Sequence, residues 1–325
     1  MKNAISASMV LIGTFIGAGF ASGQEIIQYF GIFGNYGIAG IFISCILLSV
    51  FTYCTIDNVC FLGEKEYINR LCRYKWVSFL IKGYMILIFG TMITAFGESL
   101  NQLFGLPKIF GVFFINLATI IILCFGSTAV LKFNSIVTPL IILGILLSLF
   151  SNNTVSVFNN FCTSAIVYTS YNVITLPFVI IGMKDIVDKK RNSIACSAIF
   201  GSVIFILALC LFLLLGEVDG EIIQIPLLSV VSDNYIYVMV IILALSMLTT
   251  AVSNGYGLMN MVTLPRKFII AFLFVFALVF SSFRFNFIVK YLYMIFGYMG
   301  IYILANNFWV FVKNREKPRK IEINN

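Results

Sequence analysis

The chain contains no histidine. That removes the side chain most used for proton transfer near neutral pH, and with it the Ser-His-Asp arrangement and histidine-ligated metal sites. Charge is scarce as well. Only 10% of the residues are Asp, Glu, Lys or Arg, where a soluble domain carries about 25%. The eight cysteines, at positions 45, 54, 60, 72, 124, 162, 196 and 210, include no Cys-x-x-Cys pair. A zinc knuckle or a redox pair is therefore not encoded, and most of these thiols sit in apolar runs as small packing groups. No phosphate-cradling Gly-x-x-x-x-Gly-Lys-Ser/Thr loop occurs either, so nothing points to nucleotide-driven work.

What the sequence does hold is apolar. Hydrophobic residues make up 61% of its 325 positions, and the mean hydropathy is +1.04. A soluble fold of this size has too little interior to hide that surface, which excludes a soluble enzyme, a secreted disulfide scaffold and a disordered protein. The expectation is an all-α, polytopic protein of the cell membrane whose partners are the lipid bilayer and a small-molecule substrate. A hydrocarbon core of ~30 Å takes about 20 apolar residues per helix. Apolar runs between charge and turn clusters then give ten spans, near 4–30, 36–57, 77–104, 108–126, 130–150, 160–183, 193–216, 235–256, 267–283 and 286–311. The first run follows Met1-Lys2-Asn3 and carries no small-residue cleavage site, so it reads as a span rather than a signal peptide.

Ten spans put both termini on one side. With that side cytoplasmic, 18 of the 21 Lys and Arg residues fall there, and only Lys108, Arg284 and Lys290 fall outside. This is the asymmetry of the positive-inside rule. The outer loop with Glu217, Asp219, Glu221 and Asp233 has no basic residue, whereas the tail from Lys313 is basic enough to touch anionic lipid. The net charge of +8 thus encodes orientation, and no nucleic-acid partner is expected.

Two spans are interrupted. The first reads Gly13-Thr-Phe-Ile-Gly17-Ala-Gly19-Phe-Ala-Ser-Gly23-Gln24-Glu25. A glycine costs about 1 kcal/mol against alanine inside a helix. Gly13/Gly17 and Gly19/Gly23 both have the GxxxG spacing of close helix packing. The other reading is an unwound segment at Gly17-Ala18-Gly19 whose main-chain groups line a cavity. Gln24, Glu25 and Gln28 follow on one helical face. A charged Glu25 turned to lipid would cost at least ~2.5–3.5 kcal/mol, so it belongs in a wet cavity, beside a cation, or protonated. In the sixth span, Tyr168-Thr-Ser-Tyr171-Asn172-Val-Ile-Thr175-Leu-Pro177 places a polar cluster and a proline mid-span. Pro177 breaks or kinks the helix. Each interruption opens a set of five spans, and an odd set enters the membrane reversed. Matching breaks in two inverted halves point to a solute site near the bilayer midplane.

The stretch Gly13–Glu25 resembles the opening of the YkvI-type bacterial membrane proteins, relatives of the amino acid–polyamine–organocation transporters that share the LeuT-like five-plus-five inverted repeat. The resemblance implies one transmembrane domain over residues 1–325. Residues 1–155 form the first repeat, 156–312 the second and 313–325 the tail. It places substrate at Gly17, Ala18 and Gly19 in the first span and at Tyr171, Asn172 and Thr175 in the sixth; Phe20 and Glu25, beside these glycines, are candidate substrate contacts as well. It also implies a coupling sodium ion, with no other cofactor. Gly13, Ile16 and Ser246 would offer carbonyls and Thr249 and Thr250 hydroxyls, oxygens that suit a hard cation. Transport would rock spans one, two, six and seven against the rest.

Ser246, Thr249, Thr250 and Ser253 do share one face of span eight, although hydroxyls in membrane helices also bond back to their own turn. Glu25 is the alternative coupling group, carrying a proton. Glu98, on the face of span three that holds Thr91 and Thr94, is either a second coupling carboxylate or a group solvated at the interface. The expected function is secondary, cation-coupled symport of an amino acid or similar small solute. The alternative is a germination-type receptor that binds solute without moving it. A channel lacks a filter motif, and a membrane enzyme lacks acid–base groups.

Overall fold

The computed structural model describes residues 2–34, 36–148, 162–183, 190–215, 225–231 and 235–315. Lys184, Lys189, the acidic stretch around Glu217–Glu221, Asp233 and the tail beyond Arg315 lie outside the described residues. Among those described, all regular structure is helical, and each of the ten expected segments is helix.

The first segment is split into α1 (Lys2–Phe15), α2 (Ala18–Ala21) and α3 (Gln24–Tyr29). Then come α4 (Tyr36–Leu62), the short α5 (Glu64–Leu71), α6 (Lys75–Phe104), α7 (Lys108–Cys124) and α8 (Ser127–Leu147). The sixth segment is also split, into α9 (Cys162–Asn172) and α10 (Leu176–Ile181). α11 (Lys190–Leu214), the single turn α12 (Leu227–Val230), α13 (Ile236–Met261), α14 (Arg266–Phe280) and α15 (Phe285–Arg315) complete the chain. Among the described residues, six helices are long and apolar enough to cross a membrane unaided: α4, α6, α8, α11, α13 and α15. The others fall short because they are broken mid-span or, like α7, have 17 residues.

The exterior is apolar: Phe79 is 80% exposed, Phe125 74% and Ile136 70%. Lipid tails are as apolar as leucine, so helix association rests on close packing. Small residues supply it. A side chain at Gly297 or Gly300 of α15 would collide with the main chain of Val167 or Ser170 in α9, and one at Gly97 would meet Lys108 and Val112 of α7.

Two features depart from the sequence reading. α4 runs five residues past the expected end at 57, and α5 follows with Tyr67 and Leu71 turned inward and Glu64–Glu66 exposed. Both serve a buried polar network. Asn58 Nδ2 donates to the Asn307 carbonyl and to Asn307 Oδ1 at 3.0 and 3.1 Å. The Tyr67 hydroxyl donates to Asn307 Oδ1 at 2.9 Å, and Asn307 Nδ2 donates to Thr55 Oγ1 at 3.0 Å. Asn314 Nδ2 reaches Asn58 Oδ1, and Arg70 Nη1 reaches Asn314 Oδ1. The network joins α4, α5 and α15 at one end of the bundle.

Candidate functional site

The break in the first span falls one to two residues earlier than the glycine pattern suggests. Gly17 is extended, with φ −91° and ψ −170°, while Ala18 and Gly19, expected to be unwound, begin the helical turn α2. Nor are the main-chain donors here free. The Gly17 N–H donates to Phe15 O at 2.8 Å, and the Ala18 N–H meets the Met92 thioether at 3.0 Å. Each of the four glycines has a separate job. A side chain at Gly13 would strike Thr138, and one at Gly17 would press on Met92 and Thr250. One at Gly19 would occupy the space of the Glu25 carboxylate, which folds back over it. Gly23 turns the chain into α3 with φ 79°, a conformation that favours glycine.

The second break runs from Val173 to Thr175, between α9 and α10, with Pro177 in the first turn of α10. That is where proline's missing donor does no harm. The Asn172 amide bonds back to Tyr168 O at 3.0 Å.

The two breaks border one small buried cavity. Phe15, Gly17 and Glu25 line it from the first span, Tyr171, Asn172, Thr175 and Leu176 from the sixth, and Thr250 and Asn254 from α13. Of the expected substrate residues, Gly17, Glu25, Tyr171, Asn172 and Thr175 come together here. Phe20 does not line the cavity; its ring packs on Phe15, with centroids 5.5 Å apart. Residues the sequence reading passed over complete the wall: Thr14, Tyr84, Ile88, Met92 and Tyr293. Ile88 and Tyr84 continue the Thr91 face of α6 by one and two turns, a signal that was present. Tyr293 follows a π-helical turn, Ile288–Leu292, that no residue pattern announces.

Beneath the cavity, oxygens converge. The Thr250 hydroxyl lies 3.3 Å from Gly13 O and 3.2 Å from both Thr14 O and Ile16 O. It has one hydrogen to give, so these carbonyls keep lone pairs pointed at a common place. The break explains why. In an unbroken helix Gly13 O and Thr14 O would accept from Gly17 N and Ala18 N, which here donate elsewhere. Ser246 and Thr249 sit on the same helix but pair with each other, Thr249 Oγ1 donating to Ser246 O at 2.9 Å. Ser253, one turn beyond Thr250, hydrogen-bonds Thr14 Oγ1 and accepts from Asn134 Nδ2. A set of neutral oxygens of this kind suits a hard monovalent or divalent cation.

Glu98 is outside the cavity. Its carboxylate pairs with Lys108 Nζ at 2.7 Å, and the same ammonium donates to Phe283 O at 3.0 Å. Near that end a strap of chain, Ile225–Val231, crosses between elements. The Leu227 N–H donates to Ser22 O at 2.9 Å, and the Gln102 amide both donates to Ile225 O and accepts from Ile225 N.

Compared with known proteins, the chain matches no family model. It is 28% identical over 323 residues to YyaD of Bacillus subtilis (strain 168), covering 91% of this chain and 94% of that one. It is 23% identical over 326 residues to the membrane protein YkvI of the same organism, covering 92% and 93%. Among solved structures it resembles Mhp1, described as a nucleobase-cation-symport-1 family transporter in a closed conformation with bromovinylhydantoin bound. The TM-score is 0.56 at 11% identity, over 88% of this chain and 74% of Mhp1. It also resembles the Eremococcus coleocola manganese transporter, with a TM-score of 0.60 at 13% identity, over 96% and 86%. The fold is LeuT-like. Within that LeuT-like fold, YyaD and YkvI are homologues of this chain along nearly its whole length.

Proposed function

We propose that this protein is a secondary active transporter that moves a small organic solute, an amino acid or a similar molecule, by alternating access, driven by a sodium or proton gradient. The observation that carries the proposal is the convergence of two mid-span breaks on one buried polar cavity, with three first-span carbonyls gathered at Thr250. Irregular main chain at membrane depth is tolerated where it lines such a cavity. The two structural neighbours are transporters by description, one of them a cation symporter, which favours transport over catalysis. The coupling cation would take Gly13 O, Ile16 O and Thr250 Oγ1, with Thr14 O close by and the Ser246–Thr249 pair on the α13 side. Glu25 is the proposed proton carrier if coupling is to protons, and Glu98 is held in its ion pair. The charge asymmetry of the loops favours cytoplasmic termini. The solute site then lies between the halves that rock.

The test is the thermal stability of the purified, full-length protein in sodium against potassium, followed by solute uptake into proteoliposomes under an imposed sodium or proton gradient. A ligand present at about 100 times its Kd stabilises by about 2.7 kcal/mol, which a melting curve resolves. Sodium should raise Tm, Thr250→Val should remove the rise, and uptake should follow the gradient. Equal Tm in both salts, together with no gradient-driven uptake, would overturn the proposal. Binding without uptake would favour a receptor.

A further inference from the structure

We propose that the solute is recognised through a positively charged amine, held against the Glu25 carboxylate and the faces of Tyr171 and Tyr293. This rests on the transporter reading of the same cavity and names the class of solute it takes.

Glu25 is 4% exposed and lines the cavity. No Lys or Arg lines it, and the chain has no histidine. Among the described residues the two ion pairs are Arg70–Glu66 and Lys108–Glu98, so no protein cation faces Glu25. Its carboxylate neighbours the Tyr171 hydroxyl. Even so, neither Glu25 Oε2 nor the Tyr171 hydroxyl completes a hydrogen bond of normal geometry, and the buried hydroxyls of Tyr29, Tyr168 and Tyr293 are in the same condition. A buried carboxylate lacking a counter-charge and donors is costly. A ligand that brings both removes the cost.

The surroundings are aromatic. Tyr29, Tyr84, Tyr168, Tyr171 and Tyr293 all lie within electrostatic reach of Glu25. The Tyr171 ring is 5.0 Å from that of Tyr293, 5.4 Å from Tyr29 and 5.5 Å from Tyr168, centroid to centroid. Ring faces are electron-rich and attract a cation that comes within about 6 Å of the centroid, most strongly where water is excluded. The π-turn ahead of Tyr293 fits this use, because such turns recur at functional sites. An anionic recognition group is poorly served by comparison. The N–H groups of Gly17 and Ala18, the main-chain donors at the first break, already donate to Phe15 O and the Met92 thioether.

The experiment uses purified full-length protein in detergent at neutral pH and six probes in two shape-matched sets. These are benzylamine, benzyl alcohol and benzoate, and butylamine, butanol and butyrate. Tm is followed against probe concentration, with the sodium-dependent shift recorded beside it. Each amine should act at a concentration at least about tenfold lower than its neutral or anionic counterpart. Glu25→Gln should abolish that preference while leaving the sodium shift, which shows the variant folded. Tyr171→Leu should weaken it more than Tyr171→Phe, since phenylalanine keeps the ring. Equal response to amine and alcohol, preference surviving Glu25→Gln, or no amine response beside an intact sodium shift would each overturn the inference and leave the transporter reading standing. Amine preference without a sodium shift would support the inference and count against sodium coupling. No response to amines or to sodium would overturn the inference along with sodium coupling.

Discussion

Asn307 and Glu25 are both removed from solvent, at 0% and 4% exposure, and each sits among polar neighbours. Their neighbourhoods are finished differently. Around Asn307, Oδ1 accepts from Asn58 and Tyr67, Nδ2 donates to Thr55, and the main-chain carbonyl accepts from Asn58. Around Glu25, the carboxylate and several tyrosine hydroxyls have unmet valences. Both groups are costly to desolvate, the carboxylate more so when charged, and the difference lies in what settles that cost. The first cluster is complete within the chain and fastens α15 to α4 and α5. The second is complete only with something added. In these two clusters the groups that fasten helices find partners within the chain, and several of those around Glu25 do not.

That contrast can be broken by mutation. The largest effect is expected at Asn307→Leu, which strands the Tyr67 hydroxyl and takes one partner each from Asn58 and Thr55. It should lower stability by on the order of 3 kcal/mol, read from denaturation in detergent, with ligand affinity per folded molecule unchanged. If affinity fell and stability held, the assignment of the two clusters would be reversed. Glu25→Gln should behave oppositely. Stability should hold or rise by up to about 1 kcal/mol once the buried charge is gone, and solute transport should be lost to a far greater extent than with Glu98→Gln. Gly19→Ala should displace the Glu25 carboxylate and cut solute affinity by about tenfold through misplacement alone, equivalent to about 1.4 kcal/mol. Isothermal titration would show it. Gly83→Ala is the control, because nothing lies within 4 Å of that added carbon; it should change stability by less than about 1 kcal/mol and leave affinity alone. Smallest is Lys108→Met. Its ion pair with Glu98 is partly exposed, with side chains 24% and 14% accessible, and it should cost no more than about 1 kcal/mol with transport intact.

Much of the fold was legible because membrane helices advertise themselves by length and composition. Both interruptions were legible too, since glycine at positions 13 to 23 and proline at 177 are costly inside a helix unless a break is wanted. Glu25 and Thr250 stood out as a carboxylate and a hydroxyl stripe at depth. The exact point of unwinding did not, because it depends on Met92 and Thr250 crowding Gly17 from other helices. Tyr84 lies on the face of α6 that holds Thr91 and is passed over when that face is read only from Thr91 onward, whereas Tyr293 is singled out only by convergence in space. The expected span stops at residue 57, one short of Asn58, whereas α4 runs on and brings Asn58 to Asn307. Phe20 was grouped with its glycine neighbours by position in the chain, while its ring belongs to the packing around Phe15.

The strap at Ile225–Val231 has a consequence for genetics. Its grip on the first span joins main chain to main chain, Leu227 N–H to Ser22 O. Replacing either side chain leaves both atoms where they are, so an alanine scan reads the buried side chains of Ile225 and Leu227 and the Gln102 amide but passes over this main-chain attachment. Proline at position 227 is the substitution that deletes the donor. In a growth selection built on the proposed transport, proline at position 227 should report on this attachment where alanine cannot.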